Sequence, residues 1–577
     1  MPFSSGCPHT RPHGADTTMS AAVSVAAAVA SVEHHRPIAR RRVDLGRLNR
    51  GWENARRVRT AASEAEHVVA QQDASVVNLL RWAKSDSLRL SDKVTVGAAN
   101  PGGPRGLIAA RDIERGEEVI SLPTTCTAFD ADYASADENF GLSGAVEAYT
   151  SSPTRGGDVT PEVSLALLIA LARRHPERTP FGAYAAALPD DPPHTPLLMP
   201  DDELEALVPY LPLSLVDDID AARQEMYTLW DIASAVMERV EVDGEPAAAL
   251  DVDEFAWAWM MIRSRAITFR TRSTDGDGTD ARRCMVPVVD IMNHECAPSP
   301  CDKPDGRAHE GPAVELEARD GAVVWRAARD VPAGSEISWT YGNLSNEALW
   351  LWYGFVPTPP SHAGCAVAFQ LPESSLRGGL ASVAKDDSEE ATVAREDLLV
   401  RSGAFDAAGV MNEAGGQERA LQFEVKLGER PKVLAGIAGL MCCTEDEALA
   451  VRRAMMTFGG CVMDEEEEDT EDAVAVVDMS GRLKVRLCQE SRRRAGRYVA
   501  FILDRVEPMA CGEGGESSGG ESPAPGGVDD ANWSAALRVR AGAREVFRAT
   551  NAMLENDALL TDGGWIDDAV ASILNIY

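Results

Sequence analysis

Between Ser75 and Lys84 apolar residues recur at helical spacing (Val76, Val77, Leu80, Trp82), which predicts a short helix leading into a folded body. The period then shortens. Arg105-Gly106-Leu107-Ile108-Ala109-Ala110-Arg111-Asp112-Ile113 and Glu118-Val119-Ile120-Ser121-Leu122-Pro123 read as two β-strands joined by a turn that carries Gly116. From about Glu162 to Arg270 the pattern is helical almost throughout, with helices predicted over Ser164–Arg174, Asp202–Leu207, Leu215–Val240 and Asp253–Ile267. Asp253 is the expected N-cap of the last, which bears Trp257, Met260 and Met261. Pro189, Pro192, Pro193, Pro196 and Pro200 break this block into pieces. Strand-like segments return at Met285–Val289, Val314–Glu317, Ala322–Arg326 and Ser335–Thr340.

Beyond Ser361 the pattern predicts a second, mostly α-helical unit, with helices over Glu445–Phe458, Gln489–Val506 and Trp533–Asn556. The acid run Asp464–Asp469 and the Gly/Ser/Pro/Glu stretch Cys511–Gly527 are expected to be solvated loops within it. A chain of 577 residues is too long for one hydrophobic core. The expected organisation is a leader over 1–60, a folded unit over 75–360 with a helical insertion at about 160–255, and a helical unit over 361–577 with loops near 464–472 and 511–530.

Charge and composition narrow the function classes. Apolar residues at 45% and charged residues at 25% are ordinary for a soluble globular protein. A formal charge of −35 argues against a nucleic-acid partner, because affinity for phosphate backbones comes from Lys and Arg. The acidic surface is compatible both with simple solubility and with steering of basic, lysine-bearing partners. Residues 1–60 run the other way, with ten arginines, no lysine and only Asp16, Glu33, Asp44 and Glu53 as acids. This Ala/Ser-rich, acid-poor leader reads as an organelle transit peptide or, alternatively, as a basic tail without a targeting role. No apolar run reaches the roughly 18 to 20 residues of a membrane span, so no span is expected. The cysteines are scattered without a repeated CxxC. Cys284, Cys296 and Cys301 are expected to be free thiols, with no metal site and a reducing compartment.

Several residues have the chemistry of a transfer site. Gly106 lets backbone approach a ligand closely, and the adjacent Leu107 peptide group can then bond it. Arg265 is a planar, permanently charged donor suited to a carboxylate. Asn293-His294 offers mixed donors and acceptors after an apolar segment, and the Tyr341 phenol can orient an attacking group. Taken singly, Gly106 also reads as a turn, Arg265 as a salt bridge or dipole partner and Asn293-His294 as a turn, and Tyr353 reads as a core aromatic.

Four segments in order resemble the SET domain, specifically the class of the Rubisco large-subunit methyltransferases, in which a helical insertion splits the core. They are Arg105–Ile113 with Gly116-Glu117 and Ser121-Leu122-Pro123; Trp257-Ala258-Trp259 leading to Arg263-Ser264-Arg265-Ala266; Pro287-Val288-Val289-Asp290-Ile291-Met292-Asn293-His294; and Ser338-Trp339-Thr340-Tyr341-Gly342 followed by Ser345-Asn346, Leu349 and Tyr353-Gly354-Phe355. The resemblance covers about residues 85 to 360. It implies an α+β fold: a β-rich core with a pseudoknot, a helical insertion, and a mostly α-helical C-terminal substrate-binding domain. It also implies S-adenosyl-L-methionine as cofactor, Tyr341 as the catalytic residue, and Gly106, Leu107, Arg265, Asp290, Asn293, His294 and Tyr341 around the cofactor. Tyr353, with Arg265, would receive the substrate side chain.

The expected activity is protein-lysine N-methylation in the chloroplast stroma, on a protein such as the Rubisco large subunit or an aldolase. Three alternatives stand beside it: histidine methylation of a cytosolic target, a cytoplasmic location, and a non-catalytic peptide-binding scaffold. The sequence leaves the oligomeric state open. Pro104, Glu295 and Thr340 depart from residues common in the family, and the polar stretch Ser273–Arg282 is extra. Glu295 and that stretch are the departures expected to alter substrate entry.

Overall fold

A computed structural model describes residues 74–574 apart from short internal stretches, the longest being 299–310, 377–388, 459–473 and 512–523. The leader over 1–60, the acid run Asp464–Asp469 and Cys301 lie outside the described residues. The architecture is α+β, with helices predominating and the strands gathered in several small sheets.

Strands β1 (Arg89–Leu90), β2 (Val94–Gly97), β3 (Gly106–Ala109), β4 (Glu118–Pro123) and β5 (Phe129–Asp130) open the chain after a helix over 74–83. Gly116 does occupy a turn, at φ +90°. The two strands it separates do not pair with each other. β3 joins β2 and the later β12, whereas β4 joins β1 and the later β11. Both are apolar runs with nearly every residue buried, the pattern of strands covered on two faces, so each is claimed by a different layer of the core.

The insertion is helical, as its 3.6-residue period requires: Leu142–Thr150, Pro161–Arg174, Asp201–Leu207 and Leu213–Met237, followed by the short hairpin β6 (Glu241–Val242) and β7 (Glu245–Pro246). The next helix, Val252–Arg265, buries every residue from Phe255 to Ile262 and packs against Pro161–Arg174, Leu213–Met237 and the later helix Asn346–Tyr353. Its N-cap is Asp251, not Asp253: the Asp251 carboxylate accepts the Glu254 N–H at 2.7 Å, three residues on, as an N-cap must. The helix therefore begins two residues earlier and leaves Arg265 as its last residue.

Of the stretch Ser273–Arg282, residues 273–278 lie outside the described residues, and Thr279–Arg282 belong to β9 (Thr279–Met285), which pairs antiparallel with β8 (Ile267–Arg272). The strand expected over Met285–Val289 ends at Met285. Val286–Ile291 instead makes a tight turn in which Val288 has φ +73°, a left-handed conformation unusual for a β-branched residue. β10 (Val314–Arg319) and β11 (Ala322–Ala327) then complete the four-stranded sheet with β4 and β1, and β12 (Glu336–Ile337) the three-stranded sheet with β3 and β2.

After residue 360 the helices Glu389–Arg401, Lys432–Cys442, Glu445–Phe458, Gln489–Cys511, Asp530–Glu555 and Gly564–Leu574 predominate. They surround an antiparallel sheet of β13 (Ala366–Pro372), β14 (Phe405–Met411) and β15 (Gln417–Lys426), and a small pair, β16 (Ala475–Val477) with β17 (Leu483–Val485). Val367, Phe369 and Leu371 sit directly opposite Val425, Phe423 and Leu421, so one face of the sheet forms an apolar layer under the helices.

Two hydrophobic clusters result, one for each half. The helix Asp530–Glu555 belongs to both: Trp533, Ala535, Ala536 and Val539 enter the first, and Ala543, Val546, Phe547 and Leu554 the second. Gly542 lies where it crosses from one to the other. A Cβ there would press on the Asn346 amide and come to 3.0 Å from the Pro360 carbonyl oxygen, so this rod joins the halves by close backbone packing.

Candidate active site

Three chain segments converge at one point. The turn after β9 delivers Asp290, Met292, Asn293 and His294; the segment after β12 delivers Ser338 to Gly342; and the end of the helix Val252–Arg265 delivers Arg265. The first two pair in parallel at His294 and Trp339, with Trp339 N–H donating to Asn293 O and Glu295 N–H to Trp339 O, both at 2.9 Å. This parallel pairing spends the backbone polar groups of both segments and fixes the side chains that leave them.

Tyr341 stands at the crossing. Its phenol donates to Met292 O at 2.8 Å, and its N–H donates to His294 Nδ1 at 2.9 Å. Its ring stacks on Tyr353 with centroids 4.8 Å apart and lies 5.1 Å from the His294 ring, which is 6.0 Å from Phe355. Burial pushes the Tyr341 phenol well above its usual range, so it is a neutral donor and not a base. Burial, reinforced by His362, lowers His294 to about 4. Because Nδ1 accepts from Tyr341, the neutral ring carries its proton on Nε2, which faces Cys296 Sγ at 3.1 Å.

Asp290 anchors a second cluster. Its side chain is 1% exposed, and Oδ2 accepts from Tyr184 Oη at 2.9 Å and Arg265 Nη1 at 3.4 Å. Arg265 Nη1 also donates to Asp290 O at 3.0 Å. Burial raises the Asp290 pKa, while Arg265, Tyr184 and Arg105 oppose the rise. Two buried atoms of the cluster lack a hydrogen-bond partner, Asp290 Oδ1 and Arg265 Nε.

Gly106 begins β3 beside both clusters. A Cβ at this position would lie 2.9 Å from Asn293 Nδ2 and run into the Glu336 carboxylate, so a larger residue requires these side chains to give way. Asn293 Nδ2 donates to Glu336 Oε1 at 2.6 Å and to Arg105 O at 3.2 Å, tying the turn to β3 and β12. Leu107 is fully buried and sits between Val96 and Ile337 in the sheet.

The structure thus gathers Gly106, Leu107, Arg265, Asp290, Asn293, His294, Tyr341 and Tyr353 in one neighbourhood. Sequence reasoning passed over Tyr184, Arg105 and Glu336. Tyr184 sits in a four-residue helix of the insertion, 106 positions from Asp290, with no local pattern to mark it. Glu295, one of the departures from the family pattern, is held by partners within the fold. Its carboxylate accepts from Ser338 Oγ and from Arg329 Nη2, bracing the crossing from within.

Arg263 lies between the rings of Trp259 and Trp352, at 4.9 and 4.7 Å, and pairs with Glu225 at 2.9 Å and Glu162 at 3.1 Å. Two positions apart on a helix, Arg263 and Arg265 face different ways. The first stiffens the aromatic wall and the second enters the polar cluster. Cys284 is a buried free thiol, and among the described residues no group of His, Cys, Asp or Glu is arranged to hold a metal ion. Among the same residues no helix is long and apolar enough to cross a membrane.

These residues fit a small charged cofactor such as S-adenosylmethionine. The cradle at Gly106 admits close backbone approach, and the orphaned atoms of Asp290 and Arg265 offer an acceptor and a donor to an amino-acid end.

Comparison with known proteins bears on this arrangement. Residues 104–342 match the SET domain. The chain is similar to the chloroplastic [fructose-bisphosphate aldolase]-lysine N-methyltransferase of Arabidopsis thaliana, 25% identical over 301 residues, covering 52% of this chain and 56% of that protein. It is also similar to mouse SET domain-containing protein 4, at 24% identity over 55% of this chain and 67% of that one. Mouse N-lysine methyltransferase SETD6 is 23% identical over 57% and 66% respectively. The chain thus spans little more than half of the first of these relatives. A crystal structure of the SET domain of LSMT bound to lysine and AdoHcy aligns over 85% of this chain and 93% of that one, with 15% identity and a TM-score of 0.49.

Proposed function

We propose that the protein is an S-adenosylmethionine-dependent protein-lysine N-methyltransferase, a reading that the match of residues 104–342 to the SET domain supports. The observation that carries the reading is the fixed, neutral Tyr341 at the crossing of the two paired segments, stacked on Tyr353 and braced by His294. When bound, S-adenosylmethionine supplies a methyl group on a positively charged sulfur. The chain's own residues supply alignment and dryness. Gly106, Leu107, Arg265, Asn293 and His294 hold the cofactor, with Asp290 setting the direction of Arg265.

Tyr353 and Tyr341 form the apolar wall along which a lysine side chain enters. A lysine attacks only as the free amine, and its ordinary pKa of about 10.4 falls in a desolvated channel. Tyr341, protonated throughout, cannot take that proton; it orients the amine, while water takes the proton before the channel closes around the side chain. The C-terminal helical unit over 361–577 serves as the substrate-binding domain. Similarity to a chloroplastic aldolase-lysine methyltransferase and the arginine-rich leader support a chloroplast location and a stromal substrate, such as aldolase or the Rubisco large subunit.

The test is incubation of the purified chain with methyl-labelled S-adenosylmethionine and soluble chloroplast proteins, followed by mass spectrometry of labelled peptides. Label on lysine is the expected result. Label on histidine would reassign the target residue, and no label in chloroplast, cytosolic or histone fractions would overturn the reading.

A further inference from the structure

The hairpin of β8 and β9 has its base at the site. β8 starts two residues after Arg265, and β9 ends at Met285, just before the turn that delivers Asp290 and Asn293. That base is fixed by β5, which pairs Phe129 with Met285 and Asp130 with Cys284. One position further out stands Arg283, whose charge acts on the Tyr353 phenol. Arg283 Nη1 reaches Glu162 Oε1 at 3.3 Å, the same oxygen that Arg263 Nε approaches at 3.1 Å. Arg263 is the better served of the two, since both carboxylate oxygens of Glu225 accept from its Nη2 at 2.9 Å. In charge the four groups balance, two arginines against two glutamates. In bonding they do not: among the described residues Arg283 makes one long contact to a shared oxygen with a group that has five N–H donors, and its side chain is 32% exposed.

The strand register extends this position into a strip. Thr268 lies opposite Arg283, Arg270 opposite Ala281 and Arg272 opposite Thr279. Opposed residues share a face and alternate residues return to it, so Arg270, Arg272 and Arg283 are placed on one face of the hairpin, with no acid at its other strand positions. Asp280 falls on the opposite face across from Thr271, as does Arg282 across from Phe269. The tip, with Asp275 and Asp277, lies outside the described residues. Each step of two residues along a strand advances about 7 Å, which is also two residues of an extended peptide lying beside it. The strip therefore begins next to Tyr353, where the target side chain enters, and continues outward at the spacing of alternate peptide residues. Such a row of guanidinium groups repels a lysine-rich segment and suits carboxylates, and it occurs in a chain whose formal charge is −35.

We propose that this face of the hairpin, with Arg283 nearest Tyr353, binds acidic residues flanking the target lysine of the protein substrate. The inference rests on the methyltransferase reading and on lysine entry along Tyr353. It adds a substrate class, a lysine set among Asp and Glu, and makes a polybasic tail a poor target.

Three synthetic peptides test this on the full chain, each with one central lysine in a Gly/Ser background, flanked on both sides by Glu, by Gln or by Arg. Binding is read by fluorescence anisotropy with S-adenosylhomocysteine present, and transfer by label from S-adenosylmethionine. The Glu-flanked peptide is expected to bind about 10-fold more tightly than the Gln-flanked one, the size of one charge-assisted hydrogen bond, and the Arg-flanked peptide more weakly than either. In Arg283→Gln the Glu-over-Gln ratio should shrink to about 2-fold, what exposed charges alone sustain. The double variant Arg270→Gln, Arg272→Gln should lower the ratio as well and carries the test if Arg283→Gln does not fold. Arg282→Gln, on the opposite face, should leave the ratio as it was. No preference for the Glu-flanked peptide, a preference that survives both variants, or no binding of any peptide would overturn the proposal. Transfer without the preference would strike this surface and leave the methyltransferase reading standing, whereas Arg283-dependent binding without transfer would keep the surface and strike that reading.

Discussion

Two buried carboxylates, one in each half of the molecule, are treated in opposite ways. Asp567, in the last helix of the C-terminal unit, spends its capacity on its own fold: Oδ1 accepts from Leu487 N at 3.0 Å and Arg492 Nε at 3.2 Å, and Oδ2 from Arg492 Nη2 at 2.5 Å. Glu447 nearby is used in the same manner by Thr444, Cys488 and Ser491. Asp290 is more deeply buried, yet only Oδ2 is engaged, and Oδ1 is left without a partner beside an arginine in the same condition. Burial alone therefore does not mark a functional group. A buried charge whose neighbours leave part of its bonding capacity open does, because the fold alone gains nothing from that arrangement.

The largest expected effect that would break this contrast comes from neutralising each carboxylate in turn. Asp290→Asn should weaken S-adenosylhomocysteine binding by at least about 100-fold, since it leaves two arginines buried against a neutral group. Asp567→Asn should lower unfolding stability by about 2 to 3 kcal/mol and leave that affinity within a few-fold. Calorimetry and chemical denaturation measured together separate the two, and equal effects on binding would erase the distinction.

A smaller effect is expected at Gly106. Gly106→Ala places a methyl against the Asn293 amide and the Glu336 carboxylate, so the turn must shift by a few tenths of an ångström or more. Affinity for S-adenosylhomocysteine should fall by about 10-fold, with a stability loss of about 1 to 3 kcal/mol from overpacking. Loss of stability without loss of affinity would detach β3 from the site.

The smallest effect is in pH. His294 and His362 both stand at about 4 in the folded protein, held neutral by burial. The unfolded chain binds more protons below its ordinary histidine pKa of about 6.5, so their contribution to stability is intact above that value. It is lost as pH falls toward 4. The thermal midpoint should therefore drop across that window, and the double variant His294→Gln, His362→Gln should flatten the drop. An unchanged slope would assign it to other groups.

How much of this was legible in the sequence follows from how local each cause is. Gly106, Asn293, His294 and Tyr341 lie in short segments whose composition suits their chemistry, and Glu445–Phe458 is a helix within the bounds that its period predicts. The Tyr184 partner of Asp290 was not legible: it reaches the carboxylate across 106 positions, and nothing in its neighbours foretells the meeting. The C-terminal sheet was available but outweighed. Leu421, Phe423 and Val425 alternate with Gln422, Glu424 and Lys426, a period of two surrounded by stronger helical patterns. The turn at Val288 defeats local reading altogether, because an apolar β-branched run signals a strand and only the packing of the site imposes the positive φ.

The central claim is that methyl transfer occurs where Tyr341 crosses the segment 292–294. The most direct measurement compares Tyr341→Phe with the unaltered protein, recording S-adenosylhomocysteine affinity and labelled-methyl transfer to chloroplast proteins side by side. Transfer reduced by about 100-fold or more with affinity retained within a few-fold is the predicted result, the size of effect expected from losing a group that acts in the transition state. Transfer that persists undiminished in Tyr341→Phe would place the chemistry elsewhere and contradict the account.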